Sequence, residues 1–168
     1  GFQYFPENFM WSQGMMIVIE MARWGGAAMS EVDRVGKRLK DRVGDNGAWG
    51  AEWEKEARRI EKMGDDAAAE KHPLSAAGHC LRAATYYFAA DRFVAPGPQK
   101  TDLYQSCLRC FRAGIKGRYP NIERVEVKRP PGVSSWMTST RAPPARARAM
   151  LSRMKSSTAG LMPPSIEM

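Results

Sequence analysis

The chain lacks long hydrophobic runs and has only three cysteines among its 168 residues. Its longest apolar stretch, residues 15–19, is far shorter than the roughly 18 residues that a membrane span needs. No basic segment precedes an apolar run at the amino terminus, as one would in a secretory signal. An odd number of cysteines argues against a disulfide framework. These absences predict a protein of the reducing cytoplasm with no membrane partner.

Motifs for several chemistries are also missing. The sequence contains no GxSxG nucleophile elbow, no phosphate-binding loop and no GxGxxG, so serine hydrolysis and nucleotide cofactors are not expected. Cys107 and Cys110 form an isolated CxxC; a structural zinc would need two more ligands, and the chain has just two histidines, His72 and His79. We interpret both cysteines as small apolar residues on a helix. No metal or other cofactor is therefore expected.

Positive charge is concentrated near the carboxyl terminus. The net charge is +8, and residues 122–168 hold 8 basic but only 3 acidic residues. Such a segment can bind nucleic acid or an acidic partner, or it can be a solvated tail. Trp136 is its one aromatic residue, whereas single-strand binders interleave aromatic side chains with basic ones. A nucleic-acid partner is therefore not expected.

Helical periodicity dominates the first two thirds of the chain. Residues 9–24 are apolar nearly all round, which predicts a centrally buried helix. Four more helices are predicted: one capped by Ser30, one following the turn at residues 44–47 and reaching about Glu70, one from Pro73 to about Phe93, and one capped by Thr101. Gly114 and Gly117 are expected to weaken and end the last helix.

The pattern changes after residue 118. Residues 122–127 alternate as a short strand would, and the following segment is rich in Pro, Ser, Arg and Ala. We therefore predict a mainly α protein, a bundle of about five helices with a short strand-like or irregular basic tail. The predicted division is a helical domain at residues 1–118 and an incomplete unit at residues 119–168.

Glu20 is a candidate acid–base group because it lies in the most apolar helix, between Met16 and Trp24. A buried, unpaired carboxylate there would have a raised pKa, as a general acid or base requires. The alternative is an ion pair that fixes helix packing, with Arg23 or Arg82 as its partner.

A second candidate group comprises His79, Arg82 and Tyr86. Their spacing of three and four places them on one face of a helix. Imidazole, guanidinium and phenol together could bind an oxyanion and move a proton. The alternative is a polar network that docks the helix onto its neighbours.

The abundant aromatic residues and methionines could line a pocket for a flat, apolar ligand, or they could form the core. The candidate substrate-binding residues are Trp11, Met16, Trp24, Trp49, Trp53, Tyr87 and Tyr104.

Several short motifs occur in an order that resembles one enzyme family. They begin with Phe9-Met10-Trp11, Gly25-Gly26-Ala27 and Glu31-Val32, continue with Trp49 and Trp53, and include Arg82-Ala83, Tyr86-Tyr87, Cys110-Phe111 and the segment 122–127. Residues 5–127 resemble the helical lid of the α/β-hydrolase family that includes 2,6-dihydroxypseudooxynicotine hydrolase and fungal hydrolases that shorten polyketide pigment precursors. In that family the lid caps a catalytic domain, which supplies serine, aspartate and histidine, and helps to form a pocket for a phenolic or poly-keto substrate.

The resemblance implies a lid-like protein that lacks the serine triad and binds an apolar aromatic ketone or polyketide. The first hypothesis is an enzyme that promotes a non-hydrolytic cyclisation or isomerisation by orientation and acid–base help. The alternatives are a non-catalytic binding or scaffold protein and an inactive hydrolase fragment. A lid without its partner domain would expose an apolar face. A homodimer or a hydrolase-like partner is therefore expected to cover that face.

Overall fold

The structure is a computed structural model that describes residues 3–123 and residue 125. Within these residues the chain forms five α-helices, two short 3₁₀ turns and no strand, which confirms the predicted fold class. The helices are α1 (Phe9–Met21), α2 (Met29–Leu39), α3 (Asn46–Ala69), α4 (Pro73–Asp91) and α5 (Pro98–Arg118), and the 3₁₀ turns are Ala22–Trp24 and Lys40–Arg42. The predicted strand at residues 122–127 and the predicted tail lie largely outside the described residues.

Helix α4 occupies the middle of the bundle, with α3 along one side and α5 along another. Helices α1 and α2 pack on each other, and they reach α4 and α3, respectively. This arrangement explains why α4 is rich in alanine: Ala83, Ala84, Ala89 and Ala90 are all buried. Small side chains on both sides of α4 let the neighbouring helices approach closely.

The prediction of a centrally buried first helix was wrong. Helix α1 buries one face, which includes Trp11, Met15 and Val18, whereas Phe9 and Met10 are 63% and 55% exposed. The spacing of four and three residues defines that buried face. Apolar composition alone therefore did not determine how deeply the helix lies.

The predicted caps need correction, and Gly114 has a packing role that was not predicted. Helix α2 begins after Ala28, so Ser30 lies within it, and α5 begins at Pro98, so Thr101 lies one turn inside. Gly114 lies inside α5, which continues to Arg118. A Cβ atom at Gly114 would lie 2.6 Å from Cγ of Leu81, so glycine is what allows α5 to approach α4 at this point.

A continuous line of aromatic rings runs through the core. Phe5, Trp11, Trp49, Trp53 and Tyr86 contact one another in that order, with ring centroids 4.9 to 5.9 Å apart. The tilted and edge-on arrangements are the favourable ones for such pairs. This line joins α1, α3 and α4 and fixes their relative positions.

Candidate functional site

The structure brings His79, Arg82 and Tyr86 together around a carboxylate that sequence analysis did not single out, Glu31 of α2. The Tyr86 hydroxyl donates to Oε2 of Glu31 at 2.5 Å, and Nε of Arg82 donates to the same oxygen at 3.2 Å. Nη2 of Arg82 lies 2.8 Å from Nδ1 of His79. Because guanidinium only donates, Nδ1 of His79 is the acceptor.

This cluster is arranged as a packing network rather than an exposed acid–base site. Burial, together with the hydrogen bond to Glu31, raises the pKa of the Tyr86 phenol above its usual value. Burial and the neighbouring Arg82 charge lower the pKa of His79. The geometry agrees with the alternative interpretation, a polar network that docks α4 onto α2. The catalytic role of the three residues stays a prediction.

Glu20 does not join this network, and the assumption that it is buried was wrong. Its side chain is exposed. The buried face of α1 includes Val18, and at about 100° per residue Glu20 points to the opposite side. Arg23 is exposed as well, and Arg82 pairs with Glu31 instead.

A second buried carboxylate, Glu56 of α3, was also missed. It is 1% exposed and accepts hydrogen bonds from Arg34 and Arg38 of α2 and from Arg59 of its own helix, at 2.6 to 3.2 Å. Burial alone would raise its pKa, but the hydrogen bonds from the arginines outweigh burial and hold the pKa below its usual value. Glu56 therefore joins α2 to α3 as an ionised group.

Four of the predicted substrate-binding residues are core side chains. Trp11, Trp49, Trp53 and Tyr87 are at most 1% exposed. The indole N–H of Trp49 donates to the Ala89 carbonyl, that of Trp11 donates to Asn46, and the Tyr87 hydroxyl donates to Glu61. The expectation that these residues line a cavity is corrected, because they fill the interior against one another.

An open apolar groove lies elsewhere, between the end of α1, one face of α4 and α5. Its volume is about 350 Å³, which is within the range of small-molecule sites. The lining side chains are almost all apolar or aromatic. They are Ile17, Met21, Trp24, Leu81, Ala84, Thr85, Phe88, Cys107, Phe111 and Tyr119, with Gly26 contributing backbone.

Helical periodicity explains how the groove forms. Leu81, Ala84, Thr85 and Phe88 recur at spacings that share one face of α4, and Cys107 and Phe111 are one turn apart on α5. Phe88 and Phe111 are each 49% exposed. Apolar residues at helical spacing outside the buried stripe were the available signal for this groove, and sequence analysis did not use it.

Only one of the predicted substrate-binding residues lines the groove. Trp24 forms one wall and is 76% exposed. Tyr104 borders a separate surface depression beside Asp91 and Lys100, and Met16 is partly buried in α1. None of the four predicted catalytic residues is among the groove-lining side chains.

Neither a metal-binding cluster nor a membrane-spanning helix is found among the described residues. No group of three or more His, Cys, Asp or Glu residues there is placed to hold a metal ion. None of the helices between residues 3 and 123 has both the length and the hydropathy to cross a membrane.

Comparison with known proteins gives one informative similarity. The chain is 30% identical to Hydrolase acrC of Aspergillus aculeatus over 97 residues. The match covers 58% of this chain but only 22% of that protein, so the chain spans about a fifth of the relative's length. No family model and no solved structure matches the chain. The similarity indicates a distant, hydrolase-related origin.

Proposed function

We propose that the helical unit binds an apolar aromatic small molecule, of the aromatic ketone or polyketide class, in the groove between α1, α4 and α5. The observation that carries this proposal is the groove itself, an open site with aromatic side chains on three sides. Phe88, Phe111 and Trp24 offer flat surfaces, whereas few polar groups face the site. Sites for apolar ligands combine a mainly apolar lining with a small number of polar groups.

The hydrolase-related similarity supports a lid-like origin for this unit. A lid helps to form the substrate site of a hydrolase, and an apolar groove on the lid fits that task. We therefore propose that the helices derive from such a lid and retain its apolar binding surface. The activity of a longer, hydrolase-like protein containing this segment belongs to the same proposal.

Binding is a better supported function than catalysis by the predicted residues. A cyclisation or isomerisation needs an acid–base group next to the ligand, and Glu20, His79 and Tyr86 do not line the groove. Burial also raises the pKa of the groove's Cys107 thiol, so it is not activated as a base. Turnover of a ketone that is lost in Glu20→Gln or His79→Gln, with folding intact, would favour the enzyme hypothesis instead.

The proposal is tested by chemical-shift titration of the protein with 2-acetylnaphthalene, a simple aromatic ketone. A ligand of this size in an apolar site is expected to bind with a Kd of about 0.1 to 1 mM. Resonances of groove residues such as Phe88 and Thr85 should shift, and those of the buried Trp49 and Trp53 should not.

Two variants of α5 provide a matched comparison. Phe111 and Tyr104 are 49% and 52% exposed, but only Phe111 lines the groove. Phe111→Ala should weaken ketone binding about tenfold, because an aromatic wall is lost, whereas Tyr104→Ala should leave it unchanged. Equal effects of the two variants, or no shifts at millimolar ketone, would contradict the proposal.

The same titration addresses the protein partners expected from the sequence. A second copy of the chain or a hydrolase-like partner covering the groove would exclude the ketone. Sedimentation analysis at the titration concentrations measures whether the protein self-associates. A dimer that dissociates as ketone is added would identify the groove face as the shared surface.

A further inference from the structure

We propose that Tyr86 and Glu31 form a latch that positions the Trp24 wall of the groove. The inference rests on the proposed function, because it assigns a positioning role to two residues behind the ligand site. The observation behind it is a pair of hydrogen bonds at one hydroxyl. Tyr86 donates to Oε2 of Glu31 and accepts from the backbone N–H of Ala28 at 2.9 Å.

Ala28 is the point where the loop after Trp24 turns into α2. It is the N-cap residue, its backbone is extended, and no side chain caps the helix there. The N–H of Ala28 instead finds the Tyr86 hydroxyl, which comes from α4. The phenol therefore ties the start of α2 to the central helix.

The loop that Tyr86 holds is also the one that carries the groove wall. Gly25 ends the 3₁₀ turn with a positive φ of 75°, and the Gly26 N–H donates to the Met21 carbonyl at 2.9 Å. Trp24 itself is 76% exposed. Because its ring has little packing of its own, its position depends on the backbone anchors on either side of this short loop.

The partners of the Tyr86 hydroxyl determine which of its two hydrogen bonds it donates and which it accepts. Glu31 is 7% exposed, and Arg82 donates to the oxygen that Tyr86 contacts. Nη2 of Arg59 lies 3.8 Å from the other oxygen of Glu31. A backbone N–H can only donate, so the Tyr86 oxygen accepts from Ala28 and the phenol proton points to Glu31. The phenol lone pair is then left for the Ala28 N–H.

The neighbouring tyrosine supplies a matched control. Tyr86 and Tyr87 are 0% and 1% exposed, and each donates to a glutamate. The Tyr87 hydroxyl donates to Glu61, which also accepts from Arg109, and it makes no hydrogen bond to residues 25–28. Tyr86→Phe and Tyr87→Phe each keep the ring and lose one buried hydroxyl, but only Tyr86→Phe releases Ala28.

The test measures three quantities in both variants: amide hydrogen exchange at Ala28, the chemical shift of the Trp24 indole N–H, and the affinity for 2-acetylnaphthalene. In Tyr86→Phe, Ala28 exchange should speed up about tenfold beyond the change seen in Tyr87→Phe, because the partly buried N–H loses its acceptor. The Trp24 resonance should move, and ketone affinity should fall about fivefold. Tyr87→Phe should leave all three near their original values.

The outcomes separate the latch from the proposed function. If the unaltered protein does not bind the ketone, the proposed function fails. Ala28 exchange and the Trp24 resonance then still decide whether the latch exists. If the two variants change Ala28 exchange and the Trp24 resonance equally, the latch is refuted. If both variants weaken ketone binding equally, the positioning role is refuted even where the groove binds ligand.

Discussion

Replacing Glu56 with glutamine should destabilise the fold far more than the same change at Glu54, a partly buried glutamate of the same helix whose side chain is 24% exposed. Glu56→Gln keeps the side-chain shape but removes the charge that faces Arg34, Arg38 and Arg59. Breaking a fully buried ion pair costs about 3–5 kcal/mol. These arginine side chains are 26% to 45% exposed and can regain water, so we expect about 2–3 kcal/mol.

Glu54→Gln is the matched control. Glu54 pairs with Arg58 one turn away, and the Arg58 side chain is 68% exposed. A helical pair of this kind, four residues apart with the arginine in solvent, contributes about 0.3–0.5 kcal/mol. Guanidinium chloride unfolding followed by circular dichroism gives the free energy of unfolding for both variants, and an unchanged slope confirms a comparable unfolding transition. Equal losses of unfolding free energy in Glu54→Gln and Glu56→Gln would refute the claim that the buried ion pairs of Glu56 stabilise the fold.

The effect of Glu56 should also depend on pH in a defined direction. Its pKa in the folded protein lies below the ordinary value of 4.5. The stabilisation is therefore fully present above about pH 4.5 and is lost as the pH falls through the lower folded value. The difference in unfolding free energy between the unaltered protein and Glu56→Gln should narrow below pH 4.5. A difference that stays constant down to acid unfolding would contradict this assignment.

Two further predictions concern α4 and its contact with α5. Gly114→Ala should cost about 1–3 kcal/mol of unfolding free energy, because its Cβ would lie 2.6 Å from Leu81 Cγ. A Cβ at Gly78 would meet nothing within 4 Å, so Gly78→Ala should stabilise α4 by about 0.5–1 kcal/mol. Denaturant unfolding that ranks the two variants the other way would contradict the packing. His79 has a folded pKa below its ordinary 6.5, so the stability it contributes is present above pH 6.5 and is lost as the pH falls below that value. His79→Gln should make the fall of the unfolding free energy below pH 6.5 shallower, and an unchanged pH profile would contradict this.

The helices could be predicted because their signals are local. The spacing of Trp49, Trp53, Ala57 and Ile60 marks one face of α3, and all four residues are buried. Pro73 begins α4 as expected. The exact starts of α2 and α5 could not be read in the same way, because Ala28 and Gly97 cap them without a side-chain hydrogen bond.

The buried carboxylates were harder to recognise, because their partners are distant in sequence. Glu31 and Tyr86 are 55 residues apart, and no periodic pattern links them. A partial signal existed: Glu56 follows Trp53 by three residues and precedes Ile60 by four, so it falls on the buried stripe of α3. A carboxylate on such a stripe indicates a buried ion pair or hydrogen bond.

The aromatic residues show why composition could not separate core from site. Trp24 and Trp49 are chemically identical, yet one is 76% exposed and the other is fully buried. Whether each ring is buried or exposed depends on how α1 and its following turn pack against α4, which is a property of the tertiary structure. Sequence analysis therefore selected the right residue type and, with the exception of Trp24, the wrong positions for the groove.

The most direct test of the account is a crystal structure of the protein soaked with 2-acetylnaphthalene. The account predicts electron density for the ketone in the groove, against Phe88 and Phe111 and beside Trp24. Density among the core rings of Trp11, Trp49 and Trp53, with the groove empty, would contradict it.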